Sequence, residues 1–148
     1  MIRDIVLAPD PILSVDCNPV TADATDLSRD MLDTMYAANG RGLAGPQVAV
    51  TERIFVMDCG WKDGLPDPRV FVNPEIVARS GRQVNTEGCL SIPETPRRIE
   101  RPAEVTLAFD GPMGRRSEVF SAFAAACVCH EMDHLNGILI TDLPEAEA

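Results

Sequence analysis

Apolar and polar positions recur with two different periods along this chain, and the change of period marks its elements. In TADATDLSRDMLDTMYAANG, Leu27, Met31, Leu32 and Met35 follow small polar capping residues at helical spacing, and Asn39 and Gly40 end the pattern. The spacing predicts an amphipathic helix over residues 24–39. The next stretch, GRGLAGPQVAV, cannot continue it, because its glycines suit a tight backbone that other groups can approach closely. RIFVMD (53–58), VFVNPEIV (70–77), EVTLAF (104–109) and SEVFSA (117–122) are short β-branched or alternating runs bounded by Gly, Pro and Asp, and they predict strands. DGPMG, between the last two, reads as a turn.

From Ala122 to Asn136 the pattern becomes AFAAACVCHEMDHLN, apolar over most of a helix's circumference and ended by Gly137. Such a helix belongs in the centre of a fold. ILITDLP predicts a last short strand, and PEAEA a frayed tail. The sum is an α+β fold, with short mixed or antiparallel strands around a central C-terminal helix and one N-terminal amphipathic helix. Residues 1–148 read as a single domain, without repeats or low-complexity tracts.

Composition narrows the function classes. A formal net charge of -10 argues against a nucleic-acid surface, which needs clustered Lys and Arg, and the chain has one lysine, Lys62. No apolar run reaches the roughly 20 residues of a membrane-spanning helix, and the start MIRDIVLAPDP lacks the basic and apolar regions of a secretory signal. These features lead to the expectation of a cytoplasmic protein. Its five cysteines form no CxxC pair, which suggests free thiols or metal ligation rather than a disulfide framework.

The central helix carries the chemistry. Both histidines of the chain, His130 and His134, stand four residues apart, so a helix places their rings about 6 Å apart on one face. Glu131 then points about 100° round the helix, where it can serve a water as general base instead of binding the ion. A catalytic centre needs a third protein ligand and an open position. The longer metalloprotease pattern would put a histidine where Ile140 stands, and the sequence ends at Ala148, which turns the search upstream. Cys89 in NTEGCLSIPETP is the best candidate there, with Cys59 and Cys17 as rivals that spacing alone does not exclude.

GRGLAGPQ (40–47), EGCLS (87–91) and HEMDH (130–134), in this order and at these separations, resemble the three motifs of the peptide deformylases. The flanking text is similar over nearly the whole chain. The resemblance implies that Cys89, His130 and His134 bind one divalent metal ion, Fe²⁺ in bacterial members and replaceable by Zn²⁺, Ni²⁺ or Co²⁺. It implies hydrolysis of the formyl group from the N-formylmethionine of nascent chains, with Glu131 taking a proton from the attacking water. Gln47 and the backbone N–H of Leu90 match the family's oxyanion donors. Backbone around Gly42 and Gly88 matches the segments that pair with an extended formylmethionyl peptide, Glu87 matches a loop-orienting residue beside them, and Arg101 matches a partner for Asp133 behind the metal helix.

Some positions depart from the family pattern. Arg41 stands where the first motif usually has an apolar residue, Gly45 replaces an alanine, and Asn85, Ala126 and Cys129 occupy places where other residues are common. Arg41 is thereby expected at the edge of the substrate pocket, where it can read a carboxylate or a different peptide. The sequence also lacks the C-terminal helix that the resemblance connects with ribosome docking, so that contact is left open.

Overall fold

The computed structural model describes residues 1–147. Among them run helices α1 (Thr25–Ala37) and α2 (Ala122–Leu135) and strands β1 (Gly42–Ala44), β2 (Ile54–Met57), β3 (Arg69–Ser80), β4 (Gln83–Cys89), β5 (Ile92–Arg101), β6 (Glu104–Gly111) and β7 (Gly114–Ser121). One antiparallel sheet has the order β1-β2-β3-β6-β7, and β4 with β5 forms a separate two-stranded ribbon. The α+β expectation holds. Every ladder is antiparallel, and the parallel pairing among the described residues is an isolated bridge between Asn18 and Glu52.

Local chemistry sets the helix ends. The Asp23 carboxylate accepts from the backbone N–H of Thr25 at 3.0 Å and from its hydroxyl at 2.6 Å, opening α1. Asn39, in the left-handed region at φ 62°, lets the Gly40 N–H return to the Met35 carbonyl and close it. At the end of α2, Gly137 donates to His134 and Ile138 donates to Asp133 at 2.8 Å, which satisfies carbonyls the helix leaves open. The Arg53 guanidinium adds a bond to the Leu135 carbonyl at 3.2 Å.

Strand β2 is buried on both faces, and its period of two divides the core. Ile54 and Val56 pack with Leu43 and with Met31 and Met35 of α1. Phe55 and Met57 join Phe71, Phe109 and Phe120 on the other side, where α2 contributes Ala125, Val128, Met132 and Leu135.

Four expectations change. ILITDLP is not a strand: Ile140–Asp142 form a 3₁₀ turn, because the Asp142 carboxylate accepts the Leu139 N–H at 2.8 Å and offers the backbone a local alternative. The tail is tied down rather than frayed, since the Ala146 N–H bonds the Arg98 carbonyl at 2.7 Å; Ala148 lies outside the described residues. Strands β4 and β5 carry no clear alternating signal, because much of the ribbon is exposed and only Ile99 and Arg101 of β5 are buried, and β1 has only three residues in which a period could show. Ala122, which the sequence puts both at the end of SEVFSA and at the start of the helical pattern, belongs to α2 and not to the strand.

Gly137 combines φ +75° with a tight fit: a Cβ there would lie 2.6 Å from the Ser14 carbonyl oxygen. Gly137→Ala should therefore lower unfolding free energy by about 2 kcal/mol or more, through strain and displaced backbone. Urea titration followed by circular dichroism measures this, and an unchanged midpoint would remove the turn as a determinant of where α2 ends.

Candidate metal centre

The pitch of α2 puts the rings of His130 and His134 on one face, with centroids 5.0 Å apart. Cys89 ends β4, and its Sγ lies 3.4 Å from Nε2 of His134. Donor atoms of Cys89, His130 and His134 all fall within 4.8 Å of one another. The rival donors lie elsewhere: Cys17 is in the core, its N–H bonded to the Leu135 carbonyl, and Cys59 packs beside Cys127.

Behind this cluster stands a charged bridge. The Arg101 guanidinium grips both oxygens of Glu87, at 2.9 and 2.8 Å, and Nη1 reaches Asp133 of α2 at 2.6 Å. Glu87 shares the face of β4 with Cys89, and its Oε1 accepts from Nδ1 of His130 at 2.9 Å. That bond leaves Nε2 of His130 as the ring atom available to an ion. Burial disfavours an ionised Glu87, but the bonds from Arg101 and His130 outweigh it and bring the carboxyl to about 2. Glu87 borders the cavity, and both its oxygens are engaged by Arg101 and His130.

Glu131 faces the same cavity without a hydrogen-bond partner on Oε1. Burial pushes its carboxyl up to about 7, opposed by the charge of His130. A base near 7 can take and return a proton at neutral pH. Gly42 makes room for it: a Cβ at that position would lie 2.5 Å from Oε2 of Glu131. Burial takes His134 down to about 3, so its ring is neutral with a lone pair free for ligation. Burial also works against charge on His130, but Glu131, Cys89 and Glu87 carry it to about 10. A cation at the same place competes with that proton.

Gln47 is buried and fixed at both ends of its amide. Its Oε1 accepts from the Ala44 N–H at 3.0 Å, and its Nε2 donates to Ser91 Oγ at 3.1 Å and points to Cys89 Sγ at 3.7 Å. Ser91 is a positioning residue that sequence reasoning left without a role; its place two residues after Cys89 was the available signal. Leu90 and Gly88 line the cavity, of about 500 Å³, beside Gly42 and Arg41.

These donors fit a divalent ion. A thiolate and two imidazoles, convergent and largely buried, would suit Fe²⁺ or Zn²⁺, and three protein ligands would leave a further position for water. Neighbouring Asp133 and Glu87 are held by Arg101 and do not compete as ligands.

Comparison with known proteins gives a consistent result. The polypeptide deformylase family model matches residues 2–147. A peptide deformylase of Afipia carboxidovorans is 45% identical over 146 residues, spanning 95% of this chain and 85% of that protein. One from Pseudothermotoga lettingae is 43% identical, spanning 97% of this chain and 83% of its own. The crystal structure of peptide deformylase from Thermotoga maritima superposes with a TM-score of 0.89 at 37% identity, covering 96% of this chain and 97% of that one. A Met-Ala-Ser-bound class I type b peptide deformylase from Acinetobacter baumannii gives 0.87 at 31% identity, covering 96% and 98%.

Arg101→Met would leave the buried Glu87 carboxylate without its main partner. The metal-free variant should lose about 3 kcal/mol of unfolding free energy in urea, as broken buried ion pairs do. A loss below about 0.5 kcal/mol, the scale of surface substitutions, would show that the bridge is not what joins ribbon and helix.

Proposed function

The chain belongs to the polypeptide deformylase family and is a hydrolase that removes the formyl group from N-formylmethionine; we propose that Cys89, His130 and His134 hold its single divalent cation, Fe²⁺ in the cell, with Glu131 as general base. The observation that carries the assignment is the convergence of those three donors beside a buried, unpartnered carboxylate. When bound, the ion supplies Lewis-acid polarisation of the reacting oxygens. Zn²⁺, Ni²⁺ and Co²⁺ suit the same donors.

The residues divide the work. Glu131 takes a proton from the attacking water and, protonated, gives it to the leaving amine. The carbon of the formyl group becomes tetrahedral, and its oxygen gains charge. The Gln47 amide and the Leu90 N–H are the donors for that charge, and Ser91 keeps the amide from rotating away. Glu87 and Arg101 hold the His130 ring and the helix in place. Backbone at Gly42 and Gly88, which both line the cavity, receives the peptide in extended form. Products are formate and a free amino terminus.

Nascent chains in the cytoplasm are the corresponding partners, within one domain covering residues 1–148; among the described residues no helix is long and apolar enough to cross a membrane.

Anaerobically purified, Fe²⁺-loaded protein should release formate from formyl-Met-Ala-Ser, and silence from the loaded wild type would overturn the assignment. Glu131→Gln should lower kcat by roughly 10² to 10⁴ with full metal content. Cys89→Ala, by contrast, should fail to retain stoichiometric metal through desalting, as measured by elemental analysis; a variant that keeps its metal removes Cys89 from the ligand set.

A further inference from the structure

Resting on the deformylase reading, we propose that this cavity selects formyl substrates carrying a carboxylate within two residues of the formyl group, and that Arg41, assisted by Lys62, reads it. The chain carries a net charge of -10, and several of its arginines are spent on carboxylates: Arg3, Arg53, Arg69, Arg101 and Arg115 all form ion pairs. Arg41 and Lys62, which both line the catalytic cavity, have no carboxylate partner among the described residues. Nε of Arg41 is buried with no hydrogen bond. An unpaired guanidinium facing a thioether would forfeit its hydrogen bonds, whereas its planar fork matches a carboxylate.

The acids around it do not satisfy it. Asp58, whose N–H bonds the Arg41 carbonyl, has one carboxylate oxygen taken by the Tyr36 hydroxyl at 2.5 Å and the other by the Asp67 N–H at 3.0 Å. Glu87 is held by Arg101, and Glu131 is buried against Gly42. Glu94, on the rim, is exposed on the β4–β5 ribbon.

Both cations are positioned rather than loose. The Arg41 guanidinium stacks over Phe123 at 5.4 Å, on the first turn of α2. The indole N–H of Trp61 bonds the Gly40 carbonyl at 2.9 Å, which pins the turn bearing Lys62 next to Arg41. Asn85 adds a further polar group to the same wall. Phe123 and Glu131 are separated by about 12 Å of helix axis at ~1.5 Å per residue. The recognised carboxylate therefore sits several bonds from the formyl carbon, on the first or the second side chain.

The test compares kcat/KM for formyl-Met-Ala-Ser, formyl-Glu-Ala-Ser and formyl-Met-Glu-Ser in wild type, Arg41→Met, Arg41→Lys and Lys62→Met. One acidic peptide should exceed the neutral one by about tenfold, the scale of one charge-assisted hydrogen bond, and the advantage should shrink with added salt. The ratio should collapse towards one in Arg41→Met and fall partly in the other two variants. The acidic peptide that wins identifies the side chain being read. Equal or better use of the neutral peptide by wild type, or a ratio unchanged in Arg41→Met, overturns the proposal. Failure of the deformylase reading has a different signature, formate from none of the peptides. In that case calorimetric binding of Glu-Ala-Ser, Met-Glu-Ser and Met-Ala-Ser decides: tighter binding of an acidic product, lost in Arg41→Met, upholds the carboxylate site, and equal binding removes it.

Discussion

The fork of Arg101, closed on Glu87 of one element and Asp133 of another, is the constraint on which the rest of this molecule depends. Two histidines come from α2, but the thiolate comes from a ribbon that makes few apolar contacts of its own. An exposed two-stranded ribbon is marginal by itself. A nearly buried guanidinium with three short bonds gives it a fixed distance from the helix. The same Glu87 orients the His130 ring, so fold and metal geometry share one carboxylate.

That arrangement also sorts the acids. Glu87 and Glu131 lie close together near the histidines, yet their carboxyls are driven in opposite directions. Glu87 receives two cationic partners and stays ionised. Glu131 receives burial and an unpartnered oxygen, and becomes a base that works near neutrality. Bare backbone at Gly42 allows this, since any side chain there would occupy the place of the Glu131 carboxylate.

Much of this was legible in the sequence. The apolar circumference of residues 122–136 announced a central helix, and the spacing of His130, Glu131 and His134 announced its chemistry. Cys89 became the foremost third donor once downstream positions were found wanting, and the geometry gathers it with the histidines. The ribbon was harder, because a strand exposed on both faces has no reason to alternate in polarity. The C-terminal 3₁₀ turn was missed because ILI looks like a strand while the deciding bond is made by a single aspartate. Lys62, Trp61 and Ser91 gave no periodic signal; their roles arise from contacts between segments far apart in the chain.

The bond from Ala146 to the Arg98 carbonyl has a consequence for how the molecule behaves in a crowded solution. Strand β5 pairs with β4 on one side only, and a bare strand edge is a template for stacking with other copies. Residues 143–147 lie along that edge and cover part of it. Strand β4, whose partner is likewise on one side, keeps its other edge beside the cavity. The β4 edge is thereby left open to a strand-like guest, next to the reactive groups, while self-association along the outer edge of the ribbon is discouraged.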